Sequence, residues 1–328
     1  MQVVGLDIGY SNLKLAYGPA GTRPQLRVLP ALAAPSAHVA TRLEGTSRVG
    51  SAGIAVQVNG EAWIAGVQPT RVSGWQRALH ADYAKSDSYR ALLLAALSLL
   101  DVDQVDRLVT GLPVSQAMDA ERREDLRTRI IGRHVTGRGI VEVMDVRVIA
   151  QPVGTFIDVL MHAGDDIVDV IGDGTVLVID VGFFSVDWAV LVNGDLRRTS
   201  TGTSLEAMSV LTEAAAELIG TDGGGKAPTA AIERALVEGR DSLLYRGERR
   251  ALAPYLQQAA RETGQVALGA LRQDLRREHT EVDLIVLTGG GSGLFAPLVR
   301  ELFVPVPLHV PTDAVGANAR GYFYYGGR

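Results

Sequence analysis

Asp7-Ile8-Gly9-Tyr10-Ser11-Asn12-Leu13-Lys14 follows an apolar run, Val3-Val4-Gly5-Leu6, and leads into a second strand-like run at 13–17. The same arrangement returns in the second half of the chain as Asp180-Val181-Gly182-Phe183-Phe184-Ser185-Val186-Asp187. It lies between the apolar runs 176–179 and 186–192. Both stretches read acid, β-branched, glycine, aromatic, any residue, small polar, aliphatic, charged. Each is expected to be a hairpin whose turn carries an acid and a glycine. One such turn per half predicts two similar lobes that grip one ligand between them.

The chemistry of that turn suits a metal phosphate. Glycine lets a backbone approach a ligand closely, and turn N–H groups aim well at phosphate oxygens. An Asp at a strand end supplies a hard oxygen for Mg2+, usually through retained waters. Lys14 or the Ser11 hydroxyl adds a donor. Ordinary tight hairpins also contain Asp and Gly for turn reasons alone. Recurrence of the whole pattern in an equivalent setting favours the ligand site.

Composition narrows the classes. A chain of 328 residues suffices for two domains with real cores. A net charge of −5 gives no basic footprint for nucleic acid. The absence of cysteine excludes disulfides, thiolate catalysis and Cys-ligated zinc. The strongly apolar stretch 91–100 is too short to span a bilayer. The chain starts on a strand without a signal-like region, so a cytoplasmic location is the default expectation.

Periodicity and turn signals predict alternating strands and helices. In the first half, strands are expected at 3–8, 13–17, 27–29, 107–110 and 141–149. A hairpin around Asn59-Gly60 is expected to join 53–58 to 62–65. Helices are expected at 89–100, 117–131 and 155–162. In the second half, strands are expected at 176–181, 185–192, 196–199 and 283–287, with Asn193-Gly194 closing a hairpin. Helices are expected at 205–219, 229–237, 255–277, 294–302 and 315–325. The class is α/β with two related halves and mixed sheets.

Two other glycine-rich segments mimic nucleotide motifs. Gly220-Thr221-Asp222-Gly223-Gly224-Gly225-Lys226 fits a P-loop until its last position, where Ala227 replaces the required Ser or Thr. A helical pattern precedes it, not a strand, so it reads as a flexible inter-helix loop. Gly291-Ser292-Gly293-Leu294-Phe295-Ala296 matches a dinucleotide fingerprint, with Asp313 at a plausible distance. Only a short tail follows, too little to complete such a domain. The segment serves better as a glycine floor under a nucleotide, with a helix N-terminus facing phosphate.

Taken together, the motifs resemble the actin / sugar kinase / DnaK-type chaperone superfamily, a duplicated ribonuclease H-like fold around a central nucleotide cleft. Residues 7–14 resemble phosphate loop 1, and 148–154 the first connecting segment. Residues 180–187 resemble phosphate loop 2, 287–292 the adenosine motif, and 316–322 the second connecting helix. Each motif is weakly specific; their order and separations over the whole chain carry the likeness. The start Asp7 to Lys14, the stretch Leu29-Pro30-Ala31-Leu32-Ala33 and the ending Ala317-Asn318-Ala319-Arg320-Gly321-Tyr322 are most similar to plasmid-segregation actins of the ParM/StbA type. They are also similar to PRTRC system protein D and archaeal actin-like proteins. The ParM branch carries Glu in the connecting segment, whereas this chain has Gln151, as actin does.

The resemblance implies lobe I at 1–160 plus a C-terminal helix at 313–328. It implies lobe II at 161–312, with a variable outer subdomain at about 223–278. It implies Mg-ATP between the lobes, with GTP still open because no residue fixes adenine over guanine. Asp7 and Asp180 would hold Mg2+ through water. Gly9, Tyr10, Ser11, Asn12, Lys14, Gly182, Phe183, Phe184 and Ser185 would surround the phosphates, with backbone amides of Gly9, Tyr10, Gly182 and Phe183 as donors. Gly289, Gly290, Gly291 and Ser292 would lie beneath the nucleoside. Gln151 would orient the attacking water, since phosphoryl transfer needs positioning more than proton abstraction; a buried strand-end amide is the plainer reading. Asp187 is either a supporting acid or an outward strand charge.

The leading functional expectation is an ATPase that self-associates into filaments and reaches plasmid DNA through an adaptor protein, binding neither nucleic acid nor membrane itself. The alternatives are a non-polymerising actin-fold switch or assembly factor, and a small-molecule kinase of sugar-kinase type.

Overall fold

The computed structural model describes residues 1–40, 53–72 and 82–328. The chain divides into two compact units, Met1–Ala163 with Gly316–Arg328, and Gly164–Val315.

The first unit opens with β1 (Gln2–Ile8), β2 (Asn12–Pro19) and β3 (Gln25–Pro30), then β4 (Ala33–Pro35), β5 (Ile54–Val58) and β6 (Glu61–Ala65). Helix α1 (Asp87–Ser98) follows, then β7 (Gln104–Val105), β8 (Arg107–Leu112), α2 (Val114–Ala117) and α3 (Ala120–Ile130). The unit continues through β9 (Gly132–Thr136), β10 (Gly139–Val143), β11 (Val146–Ala150) and α4 (Gln151–His162). Its main sheet has the order β11-β8-β1-β2-β3. β1 runs antiparallel to β2 and parallel to β8.

The second unit contains α5 (Asp165–Asp173), β12 (Thr175–Val181), β13 (Val186–Val192), β14 (Asp195–Ser204), α6 (Met208–Gly223) and α7 (Thr229–Val237). It continues with β15 (Ser242–Tyr245), β16 (Glu248–Ala251), α8 (Ala253–Arg277), β17 (Leu284–Thr288), α9 (Ser292–Leu302) and β18 (Leu308–His309). The last helix, α10 (Ala317–Gly326), belongs to the first unit. The second main sheet has the order β14-β13-β12-β17-β18. Its first strand is antiparallel to its hairpin partner and parallel to β17, as β1 is to β2 and β8. The two sheets are one topology used twice.

The first strand of each main hairpin is buried on both faces, which explains its continuous apolar run. β12 is buried from Val176 to Val181, and β1 from Val3 to Ile8. α1 is buried almost all round, from Ala91 to Ser98, and Ser86 caps it by accepting from the Tyr89 N–H. α4 and α10 cross closely because both crossing residues lack a side chain: a Cβ on Gly321 would lie 1.7 Å from the Gly154 carbonyl oxygen. Thr155 and Asn318 lock that crossing with a 2.8 Å hydrogen bond. Arg320 clamps Asp158 through two bonds of 2.9 and 2.6 Å.

Several boundaries differ from expectation. The expected strand at 141–149 is two strands in different sheets, broken at Met144-Asp145. Arg107 holds Asp145 at 2.8 Å there. The expected helix at 117–131 is split by Asp119, which caps α3 by accepting from the Glu121 and Arg122 N–H groups. α4 begins at Gln151 rather than at 155. β9, α5 and the β15–β16 hairpin were not expected. The supposed flexible loop at 220–226 is helical through Gly223 and closes on Gly224 in a left-handed conformation.

Candidate functional site

In the first unit the site is built on the β1–β2 turn. Asp7 and Lys14 are directly paired across the ladder. Their side chains form an ion pair of 2.9 Å, with Asp7 only 2% exposed. Gly9 donates its N–H to the Asn12 carbonyl at 3.1 Å, which closes the turn, and Ala31 donates to the Ser11 carbonyl at 2.8 Å. Tyr10 stacks on Tyr83 with ring centres 4.5 Å apart. Gln151, on the first turn of α4, donates its side-chain amide to Asp7 Oδ1 at 3.5 Å. It therefore opens a helix beside the acid instead of ending a strand. Gly111 makes that approach feasible: a Cβ there would meet Tyr322 Oη at 1.9 Å and Gln151 Cγ at 3.1 Å.

The second unit repeats the construction with different chemistry. Asp180 pairs with Asp187 across the β12–β13 ladder, and both are buried. Gly182 donates to the Ser185 carbonyl at 2.9 Å, matching Gly9 and Asn12. In both turns the glycine amide thus closes the turn itself. Neither glycine has a left-handed backbone. What Gly182 supplies is room, since a Cβ would lie 2.9 Å from the Ser185 oxygen. Ser185 and Thr203 hydroxyls donate to the two oxygens of Asp187, each at 2.6 Å. Asp187 is therefore a buried, fixed carboxylate and not an outward charge. Phe183 fixes the far side of the turn by accepting from the Ser209 N–H at 2.8 Å.

The 287–292 segment joins this group. Thr288 pairs with Asp180 across β12 and β17. Gly289 has φ +86°, and a Cβ there would sit 2.4 Å from Asp180 Oδ1. Gly291 donates to the Val181 carbonyl at 3.0 Å, and its own Cβ would strike Val181 and Met208. Gly290 has open space around it. α9 starts at Ser292 with no side chain capping its first turn.

The first unit thus gathers Asp7, Gly9, Tyr10, Lys14 and Gln151, and the second Asp180, Gly182, Ser185, Asp187 and Gly289. Sequence reading missed Thr203, which faces Asp187 across β13–β14; only the polar pairing of two strands signals it. It also missed Tyr89. Burial, chiefly, holds its hydroxyl above the ordinary tyrosine range, and the nearby Asp7 charge adds to this. Lys226, the cation of the apparent P-loop, pairs with Glu213 on the surface of α6.

Residues 5–154 match the family model for the N-terminal domain of actin-like proteins. Residues 178–301 match that for the C-terminal domain of the archaeal MreB-like actin homologue. The chain belongs to the actin-like superfamily. Among solved structures, this actin-like protein superposes on the archaeal actin homologue Ta0583 with a TM-score of 0.75, at 18% identity and over 99% of both chains. It superposes on a ParM subunit of a 15-stranded filament from Clostridium botulinum with a TM-score of 0.74, at 16% identity, over 99% of this chain and 98% of that one. Ta0583 in complex with ADP gives a TM-score of 0.71 at 18% identity, over 99% of both chains. No curated protein matches by sequence. Among the described residues no helix is long and apolar enough to cross a membrane.

Proposed function

We propose that this actin-like protein binds and hydrolyses Mg-ATP and assembles into filaments that move or position plasmid DNA in the cytoplasm through an adaptor. One observation carries the nucleotide part: two topologically equivalent hairpins, each with a buried aspartate at the same place beside its turn. The likeness to Ta0583, which has been solved with ADP, supports nucleotide binding. The likeness to a ParM filament subunit supports self-association.

The residues fit the group. Mg2+ takes one or two carboxylates and keeps waters, and Asp7 and Asp180 are the acids beside the turns. Gly289 and Gly291 stand where any side chain would collide with Asp180 or Val181, leaving a bare backbone floor for a nucleoside. When bound, the metal neutralises charge on the β and γ phosphates. Lys14 adds a positive charge at the first turn. Tyr10 to Asn12 and Phe183 to Ser185 surround the phosphates, and the unencumbered start of α9 favours anions. Gln151 orients the attacking water and, beside Asp7, shares its hydrogen-bond network. Asp187, held by Ser185 and Thr203, serves as a fixed second acid beside Asp180. A sugar-type kinase would need an acid poised at an acceptor hydroxyl. Asp187, the buried acid beside Asp180, has both oxygens already engaged.

Sedimentation and light scattering with Mg-ATP and with Mg-ADP test the reading. ATP should give pelletable polymer that declines as phosphate is released. Phosphate release with no polymer over a broad concentration range would leave the non-polymerising switch.

A further inference from the structure

We propose that the outer edge of β11 is a docking groove for an extended, acidic segment of a partner protein, taken up by strand addition. The groove lies wholly in the first unit and uses none of the nucleotide-site residues, so the inference does not depend on the ATPase reading.

β11 ends the five-stranded sheet and, among the described residues, pairs with β8 alone. Alternate N–H and C=O groups of a terminal strand point away from its one neighbour, which is a template for another strand. Natural edges are blunted by proline, bulges or a covering element. β11 has no proline, and its pairing with β8 runs without a register shift. Its three central residues are all partly exposed.

Beside that edge is a groove of about 590 Å³. Val148 and Ile149 of β11, residues of α3 and Tyr325 of α10 line it. Three arginines line it, Arg123, Arg127 and Arg147, against a single acid, Glu124. Glu124 already accepts from Arg127 at 3.0 Å. Arg147 lies over the Tyr325 ring, 5.7 Å from its centre, and 3.8 Å from Asp145. Arg123 is anchored through the Ala117 carbonyl. The guanidinium groups are therefore held beside the groove and exceed its carboxylates.

This combination selects one occupant. A strand edge recognises an extended backbone, and alternate side chains then face the same wall. A wall of arginines asks that those side chains be carboxylates, which guanidinium binds with matched geometry. Arginines alone would also draw the phosphates of a nucleic acid, but an open row of peptide groups has no complement there.

The test is fluorescence anisotropy with a fluorescein-labelled octapeptide of alternating Glu and Val. Comparisons are the Lys/Val peptide, two Glu/Val peptides N-methylated at alternate residues in one phase or the other, and a single-stranded oligonucleotide. The Glu/Val peptide should bind, and N-methylation on the paired edge should weaken it by about tenfold or more. The R127E/R147E variant, checked for unchanged circular dichroism, should lose at least about tenfold in affinity. Tight binding of the oligonucleotide, equal binding of the Lys/Val peptide, or indifference to N-methylation at both phases would overturn the proposal. The methylation arm needs no variant, so the outcome stands even if R127E/R147E does not fold.

Discussion

Asp180 and Asp187 face each other across the β12–β13 ladder, at the register where Asp7 faces Lys14 across β1–β2. One copy of the hairpin thus carries an internal ion pair, and the other carries two acids on one strand pair. Like charges paired across strands repel. The second hairpin offsets this with hydroxyls on Asp187, and in the proposed function with a cation near Asp180. In the proposed function both turns offer an acid to the metal, and the first adds the Lys14 charge for an anion.

Asp180→Ala should abolish phosphate release. Gln151→Ala should slow release by about tenfold or more and leave ATP affinity largely unchanged, because Gln151 is assigned to water and not to nucleotide. Phosphate release and calorimetry on the same preparations separate the two effects. An equal loss of affinity in Gln151→Ala would contradict its role.

Lys14→Met should destabilise the fold by about 3 kcal/mol, since Asp7 would keep a buried charge without its cation. Adding Asp7→Asn should recover much of that loss, which urea unfolding of the single and double variants measures. No recovery would mean that Lys14 stabilises by packing alone.

The α4–α10 crossing predicts that Gly321→Ala costs about 3 kcal/mol or prevents folding, because the new methyl would collide with the Gly154 backbone. Gly269→Ala, in α8 with nothing within 4 Å of the added carbon, should instead stabilise by about 0.5–1 kcal/mol. Thermal melts of both compare directly.

His134 gives a pH dependence. Burial mainly, with the Arg90 charge, lowers its pKa, while the hydrogen bond to the Ile130 carbonyl opposes this. Its Nε2 lies 2.6 Å from that carbonyl, and its Nδ1 is buried with no hydrogen-bond partner among the described residues. The unfolded chain therefore takes up this proton first. Stability is full above about pH 6.5 and falls as pH drops below it. His309, lowered by burial against the pull of Asp166, acts in the same direction. Urea midpoints between pH 5 and pH 8 should fall less steeply on the acid side in His134→Gln, if that variant folds, than in the parent.

Much of this was legible because the local chemistry and the fold agree. The twin hairpins follow from apolar runs flanking Asp-x-Gly, and Asn59-Gly60 and Asn193-Gly194 take the positive-φ pairs their types favour. The third such hairpin hid because Arg246 occupies its first positive-φ place, a residue with no turn preference. The break at Asp145 hid because valines continue on both sides; only the pairing with Arg107, distant in sequence, marks it. α5 hid because four aspartates outweigh a single fully buried residue, Ile171. In the site, acids and glycines were readable from one strand at a time. The hydroxyl from Thr203 and the start of a helix at Gln151 depend on how strands and helix meet.

Calorimetric titration of Mg-ATP into the parent, Asp7→Asn and Asp180→Asn, each with and without Mg2+, tests the central claim most directly. One nucleotide should bind per chain, Mg2+ should tighten it, and either substitution alone should remove most of that tightening. Full Mg2+ dependence in either variant would contradict a site built from both hairpins.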